Sequence, residues 1–393
     1  MVVTIPTNAQ SIVDWLVAGA QSASTPQDVL QQLCDRLVAC GIPLSRVAVF
    51  VRTLHPQILG RQFIWRPGAA VATFEAEHSR FYDEDIQRSP VLHLYRTGQA
   101  VRRRLIDPQS PNDFPYLEEA RAQGMTDYFV FPLRFLSGEV HAVSCSTAAP
   151  AGFSDADIAV LTAIADPLAR ITEAWALRRT AATLLNTYVG THTGERILAG
   201  RIQRGDVETI HAVIWLSDMR GFTALSDRLP PRRVIDILNL YFDCQVVPIA
   251  EHGGEVLKFI GDGLLAIFPV ANDESDAEWV CGEVLEAARV ARARIAALHD
   301  KKEVEGRLRF GLALHLGEVL YGNIGGGNRL DFTCIGPAVN LAARLEKTAG
   351  RLGHTVVTSE SFARHCRAQL EPLGHFALQG FSAEQPAFVF PEK

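Results

Sequence analysis

The chain has 393 residues, with 38 basic and 44 acidic side chains and a formal net charge of −6. That balance excludes a general nucleic-acid coat, because sequence-independent phosphate binding draws on a basic surface; nucleic acid is not an expected partner. At 48% hydrophobic and 21% charged residues, the chain can bury ordinary cores, and its length suits two or three domains of about 100–200 residues.

One of the longest apolar runs, Gly263 to Ala271, falls far short of the roughly 18 residues that a membrane span needs. The opening Met-Val-Val-Thr-Ile-Pro lacks a basic segment followed by an apolar one, so no secretory signal is expected. The seven cysteines (34, 40, 145, 244, 281, 334 and 366) form no Cys-x-x-Cys pair. Such a set reads as reduced thiols in a cytoplasmic protein. The run Arg102, Arg103, Arg104 reads as a solvated face.

In chain order, Thr25 and Pro26 open a helix that buries Val29, Leu30, Leu33 and Leu37, and Gly41 stops it. Arg46 to Leu54 and Gly60 to Arg66 read as strands around a turn at Pro56. Tyr82 to Tyr116, rich in Asp, Pro, Gln and Ser, reads as long loops with one short helix. Strands resume at Tyr128 to Leu133 and Val140 to Ser146, and Ser154 with Asp157 forms a capping box for a helix through Ile158, Leu161 and Ile164. This order, with Phe153-Ser154-Asp155 before the last helix, resembles a GAF sensor domain over about residues 10–170. The Asn-Lys-Phe signature of cyclic-nucleotide-binding GAF domains is not evident. The resemblance implies either a small-molecule sensor or a dimerisation domain that binds nothing.

A helical connector follows. Leu161, Leu168, Trp175 and Ala182 fall seven apart, as do Ile164, Ile171, Arg178 and Leu185, which suggests a short parallel coiled coil. Pro167 should interrupt or kink it. The division expected is therefore a sensor at 1–165, a helical linker at 166–206 and a further domain at 207–393.

That domain carries the chemistry. His211 to Ser217 is a buried-strand pattern ending at Asp218-Met219-Arg220-Gly221-Phe222-Thr223. A carboxylate at a strand mouth can hold a cation, while the backbone amides around Phe222 and Thr223 favour phosphate oxygens. Pro230 and Pro231 start a helix with Val234, Ile237, Leu238, Tyr241 and Phe242 inward. Glu255 to Phe268 then reads as a tight hairpin around Gly261-Asp262-Gly263. Gly325-Gly326-Gly327 is a loop, not a phosphate-binding Walker loop, since no Gly-Lys-Ser/Thr follows.

Four segments resemble the class III nucleotidyl cyclase domain in order and spacing. They are Leu-Ser-Asp-Met-Arg-Gly-Phe-Thr at 216–223, Lys-Phe-Ile-Gly-Asp-Gly at 258–263, His-Leu-Gly-Glu-Val-Leu-Tyr-Gly-Asn-Ile-Gly at 315–325 and Asp-Phe-Thr-Cys-Ile-Gly-Pro-Ala-Val-Asn-Leu-Ala-Ala-Arg-Leu at 331–345. The resemblance implies an α+β domain with a ferredoxin-like βαββαβ core and an extra hairpin. It implies that Asp218 and Asp262 bind two divalent ions, Mg²⁺ or Mn²⁺, and that Lys258 and Thr333 read the purine. The Lys/Thr pair looks like class IIIb, some members of which respond to bicarbonate. Asn340 and Arg344 match the transition-state pair, and helical spacing puts both on one face.

One position departs from the pattern. Where the family has a lysine for the terminal phosphates, this chain has Gln379 within Phe376-Ala377-Leu378-Gln379-Gly380. The family builds each site between two cyclase domains, so one full set of residues implies a homodimer with two sites. The activity implied is conversion of ATP to 3′,5′-cyclic AMP and pyrophosphate, regulated by the GAF-like domain. A guanylate cyclase or a non-catalytic nucleotide-binding module are the alternatives.

Overall fold

The computed structural model describes residues 7–53, 58–77, 79, 83, 87–271, 273–300, 304, 308–327, 329–366, 368 and 370–390. The expected turn at Pro56 and the start of the expected loop at Tyr82 lie outside the described residues. The chain divides into two compact units, Met1–Leu184 and Leu185–Lys393.

The first unit is built on a six-stranded antiparallel sheet. Its strands are β1 (Arg46–Arg52), β2 (Ile58–Trp65), β3 (Ala72–Glu77), β4 (Val101–Arg104), β5 (Asp127–Arg134) and β6 (Val140–Thr147), in the order β3-β2-β1-β6-β5-β4. Strand alternation divides the burial between two faces. Phe129, Phe131 and Leu133 of β5 join the core under α1 (Thr7–Val17), α2 (Pro26–Ala39), α5 (Asp155–Ala163) and α6 (Ala165–Val189). Tyr128 and Val130 point the other way, toward α3 (Pro90–Thr97) and α4 (Tyr116–Ala122).

The caps are local chemistry. The Thr25 hydroxyl accepts the Asp28 amide at the start of α2, and Ser154 with Asp157 closes a capping box on α5. The arginine run is structural, not a solvated face. Arg102 reaches the fully buried Asp127, Arg103 pairs with Asp113, and Arg104 donates to the Ala151 carbonyl.

Two expectations need correction here. The stretch read as loops with one short helix contains α3 and also the strand β4, and α4 begins at its last residue, Tyr116. Leu161, Ile164, Leu168 and Ile171 do not line a coiled coil, because they are buried in the unit's own core. The same apolar spacing serves a helix packed on a sheet and a helix packed on a helix. The interruption expected at Pro167 falls three residues earlier, at Ile164, between α5 and α6. A proline ring meets the carbonyl four residues before it, here that of Ala163, so α6 restarts with Pro167 in its first turn. Glu173 on α6 is 7% exposed and accepts the amides of Leu136 (2.8 Å) and Ser137 (3.2 Å) at the β5–β6 turn.

In the second unit, α7 (Thr191–Leu198) precedes β7 (Val207–Arg220), α8 (Phe222–Ser226), α9 (Pro231–Glu251), β8 (Glu255–Ile260) and β9 (Gly263–Val270). Then come α10 (Glu274–Asp300), β10 (Arg309–Gly326), β11 (Arg329–Ile335), α11 (Pro337–Leu352), β12 (Val356–Ser359), α12 (Glu360–His365), β13 (Glu371–Phe376) and β14 (Gln385–Val389). The β7-α9-β8-β9-α10-β10 segment orders its strands β10-β7-β9-β8, all antiparallel, which is the ferredoxin-like βαββαβ core. Strand β11 extends β10 as a hairpin, while β12, β14 and β13 continue the sheet.

Helices α9 and α10 cover the face carrying Val213 and Trp215, and α11 covers the face carrying Ala212 and Ile214. Helix α7 is fastened to this sheet through buried polar groups. Glu255 on β8 accepts the Thr193 amide (3.1 Å) and the Tyr321 hydroxyl (2.8 Å). No helix among the described residues is long and apolar enough to cross a membrane. All seven cysteines are free thiols.

Candidate active site

The central strand β7 delivers Asp218 to the mouth of the sheet, where Gly221, at φ 78°, turns the chain into α8. Its neighbour β9 pairs with it up to Ser217 opposite Leu264. One further step along that register sets Asp218 beside Gly263 and the two-residue turn Gly261-Asp262. Gly263 is required by close approach: a Cβ there would lie 2.8 Å from the Ser217 carbonyl oxygen and 3.4 Å from Asp218 Oδ1.

The Asp262 carboxyl lies close enough for its charge to act on Asp218. Burial, then the charge of Asp262, then that of Glu346 push the Asp218 carboxyl up to about 6, and Arg220 offsets part of this. Two acids forced together favour one shared proton or a cation between them. Oxygen-only donors of this type suit a hard divalent ion, with open positions left for water and phosphate. Among the described residues no three His, Cys, Asp or Glu side chains converge on one metal position, so the protein itself offers this pair.

Arg220 fixes the segment after Asp218. Its guanidinium lies 2.7 Å from Glu346 on α11 and donates to the Glu346 carbonyl at 3.2 Å. It occupies space that a Cβ at Gly311 or Gly350 would fill. Burial raises the Glu346 carboxyl above its ordinary range, and Arg220 opposes that rise.

Lys258 on β8 pairs with Asp331 on β11 at 2.6 Å, and both are partly exposed. Thr333 lies two residues further along β11, on the same strand face; its hydroxyl is buried and unpartnered. On α11, Asn340 is exposed and Arg344 half-buried, on the side opposite the buried Leu341, Ala342 and Leu345. No ion pair holds Arg344 among the described residues. Phe222 packs partly into the core, and Thr223 is exposed in the first turn of α8. Gln379 is exposed in the turn between β13 and β14, whose Gly380 has φ 93°.

Residues 206–389 match the family described as adenylate and guanylate cyclase catalytic domain, and residues 23–173 match a GAF domain family. The chain thus carries a match to the adenylate and guanylate cyclase catalytic domain behind a match to a GAF domain. It is similar to an adenylate cyclase of Anabaena cylindrica, 30% identical over 170 residues, which are 42% of this chain and 32% of the relative. It is also similar to adenylate cyclase 1 of Rhizobium meliloti, 32% identical over 174 residues, 42% of this chain and 25% of the relative. The matches thus span about a third or less of these relatives' lengths. A solved structure of the adenylyl cyclase CyaB from P. aeruginosa is 25% identical, with a TM-score of 0.42, over 48% of this chain and 97% of that one.

Within the cyclase domain, the fold brings Asp218 to Asp262, and Lys258 to the strand of Thr333. Sequence reasoning passed over Asp331 as the partner of Lys258, although it lies in the quoted Asp-Phe-Thr segment at the two-residue spacing that shares a strand face. It also passed over Glu346, two residues after Arg344, and the use of Arg220. Gly311 and Gly350 were the available signal for Arg220, but only the folded chain shows what fills the space beside them.

Proposed function

We propose that the chain converts ATP to 3′,5′-cyclic AMP and pyrophosphate at sites shared between two copies, under the control of its N-terminal domain. The observation that carries this reading is the Asp218–Asp262 pair, two carboxyls held together at the mouths of adjacent strands. Both curated relatives named above are called adenylate cyclases, which supports ATP. Lys258 supports it too, since an ammonium can donate to the unprotonated ring nitrogen of adenine, and Thr333 keeps a hydroxyl free on the same strand as Asp331.

Asp218 and Asp262 would hold two divalent cations, Mg²⁺ or Mn²⁺. Bound there, such ions acidify the ribose 3′-hydroxyl and offset charge on the α-phosphate and the departing pyrophosphate. The 3′-oxygen attacks the α-phosphorus in line, and the bond to the bridging oxygen of pyrophosphate breaks. The backbone at Phe222 and Thr223 offers amides to phosphate oxygens. Asn340 orients the ribose, and the fork of Arg344 takes charge that grows on the phosphoryl group. Gln379 can donate a hydrogen bond to the terminal phosphates but adds no positive charge there.

The second copy is supported by apolar surface beside these residues. Phe259 and Ile260 on β8 are 54% and 53% exposed, and Leu330 and Ile335 on β11 are also open. The proposed division is a sensor at 1–165, a linker at 166–206 and a catalytic domain at 207–393. Free cysteines throughout support a reducing, cytoplasmic setting. The regulator proposed is a small molecule bound by the sensor, or bicarbonate at the catalytic domain.

The test is product formation by the purified full chain with ATP or GTP, with Mg²⁺ or Mn²⁺, with and without bicarbonate. Cyclic AMP should form with either ion, and Asp218→Ala or Asp262→Ala should lower it to background without lowering the unfolding temperature. Mixing Asp218→Ala with Arg344→Ala should restore about a quarter of the activity, since random pairing leaves one intact site in half of the dimers. Full activity in either aspartate variant, preference for GTP, or no recovery on mixing would each refute the corresponding part.

A further inference from the structure

A feature that the catalytic reading leaves unused is a cavity of about 460 Å³ in the N-terminal unit, on the face of the sheet covered by helices. It opens between α2, the paired strands β1 and β2, and the connector helix α6. Its volume lies within the roughly 300–1,000 Å³ usual for small-molecule sites.

The lining has two characters. Val49, Val51, Phe63 and Leu30 make an apolar floor, and Trp175 with Ile171 of α6 forms an apolar wall. Arg178 and Arg179 lie one turn further along the same helix, where they border the cavity. Arg61 also lines it, but its charge is taken by Glu75. Arg178 and Arg179 have no ion-pair partner among the described residues. Two free guanidinium groups at the edge of an apolar hollow attract a molecule with an apolar body and an anionic end. A second copy of α6 is a poor occupant, because parallel pairing would bring four unpaired arginines together.

We propose that this cavity binds a small amphipathic organic anion, an aryl or medium-chain carboxylate, with its apolar part against Phe63 and Trp175 and its carboxylate on Arg178 and Arg179. Helix α6 supplies one whole side of the site, so occupancy adds contacts to the connector itself. Binding is read at Trp175, so its outcome does not depend on the catalytic assignment.

The full-length chain would be titrated with octanoate, octanol and octylammonium while tryptophan fluorescence is followed, with Trp175→Phe used to assign the signal. Octanoate should give a saturable change at least about tenfold tighter than octanol, as expected of a charge-assisted contact. The double variant Arg178→Gln/Arg179→Gln should lose about that factor while its unfolding temperature holds. Ala176→Phe, which fills the cavity, should abolish the response. No saturable change, equal affinity for octanol or octylammonium, or full octanoate affinity in the double arginine variant would overturn the proposal. A Trp175 signal that follows protein concentration instead of octanoate would assign the cavity to a second copy and overturn it equally.

Discussion

The two units treat an acidic side chain in opposite ways. In the N-terminal unit Asp127 is fully buried and fully answered: Arg102 donates to it at 2.8 Å and the Phe153 amide at 3.1 Å. In the C-terminal unit Asp218 faces another carboxyl, with a third, Glu346, close enough to add to the repulsion. Asp127 ties β5 to the loop before α5, so its work is finished when the chain folds. Under the proposed function, the charge that answers Asp218 is a bound divalent ion and not a side chain of the fold, which is how a site differs from a core.

Substitution separates the two acids. Asp127→Ala should cost the N-terminal unit roughly 3 kcal/mol in denaturant unfolding, as removal of one partner of a buried pair does. A loss below about 1 kcal/mol would show that the pair is ornamental.

In the C-terminal unit, His315 is enclosed with Ser359 and Ser361, and burial pushes its imidazole down to about 4. The unfolded chain protonates it near 6.5, so stability linked to His315 is intact above that pH and drains away between about 6.5 and 4. The loss should approach roughly 3 kcal/mol, and a His315→Asn chain should show a flatter profile over that interval. Parallel profiles would remove the histidine from the account.

Gly263→Ala forces the β8–β9 turn away from the Ser217 carbonyl. A displacement of this order should lower turnover about a hundredfold, with little change in unfolding temperature; unchanged turnover would mean that the spacing of the two acids is not critical. The smallest effect has the opposite sign. Asp218→Asn should raise the unfolding temperature of the metal-free chain by a few degrees, because it removes a repulsion that the fold otherwise carries at neutral pH. A drop would place Asp218 with Asp127 and erase the contrast.

Much of the candidate site could be read in the sequence, for a physical reason. The proposed chemistry would need one residue type at one backbone location, and the six proposed residues, Asp218, Lys258, Asp262, Thr333, Asn340 and Arg344, sit in short linear segments. The Lys258–Asp331 and Arg220–Glu346 pairs join residues 73 and 126 apart, and only the sheet register and the docking of α11 bring them together. The N-terminal sheet was legible in outline, since β1, β2, β5 and β6 alternate clearly. Strand β4 was hidden by its three arginines, which turned out to be partners for Asp127, Asp113 and a carbonyl. Of α3 and α4 one short helix was expected and one was not, because Pro90 and Pro115 read as loop residues as readily as helix starts. The connector misled because its first half is apolar at helical spacing for the sake of the sheet beneath it.

The Glu255 clasp reaches further than its place in the core suggests. One carboxylate grips the amide of Thr193 and the hydroxyl of Tyr321, so β8 cannot slide along its own axis without dragging α7 with it. Lys258 lies three residues beyond that grip and Asp262 seven. A pull on the short helix is thus delivered to the strand that bears Lys258 and runs into the turn that bears Asp262, as a tug on a bridle moves the bit and not the reins.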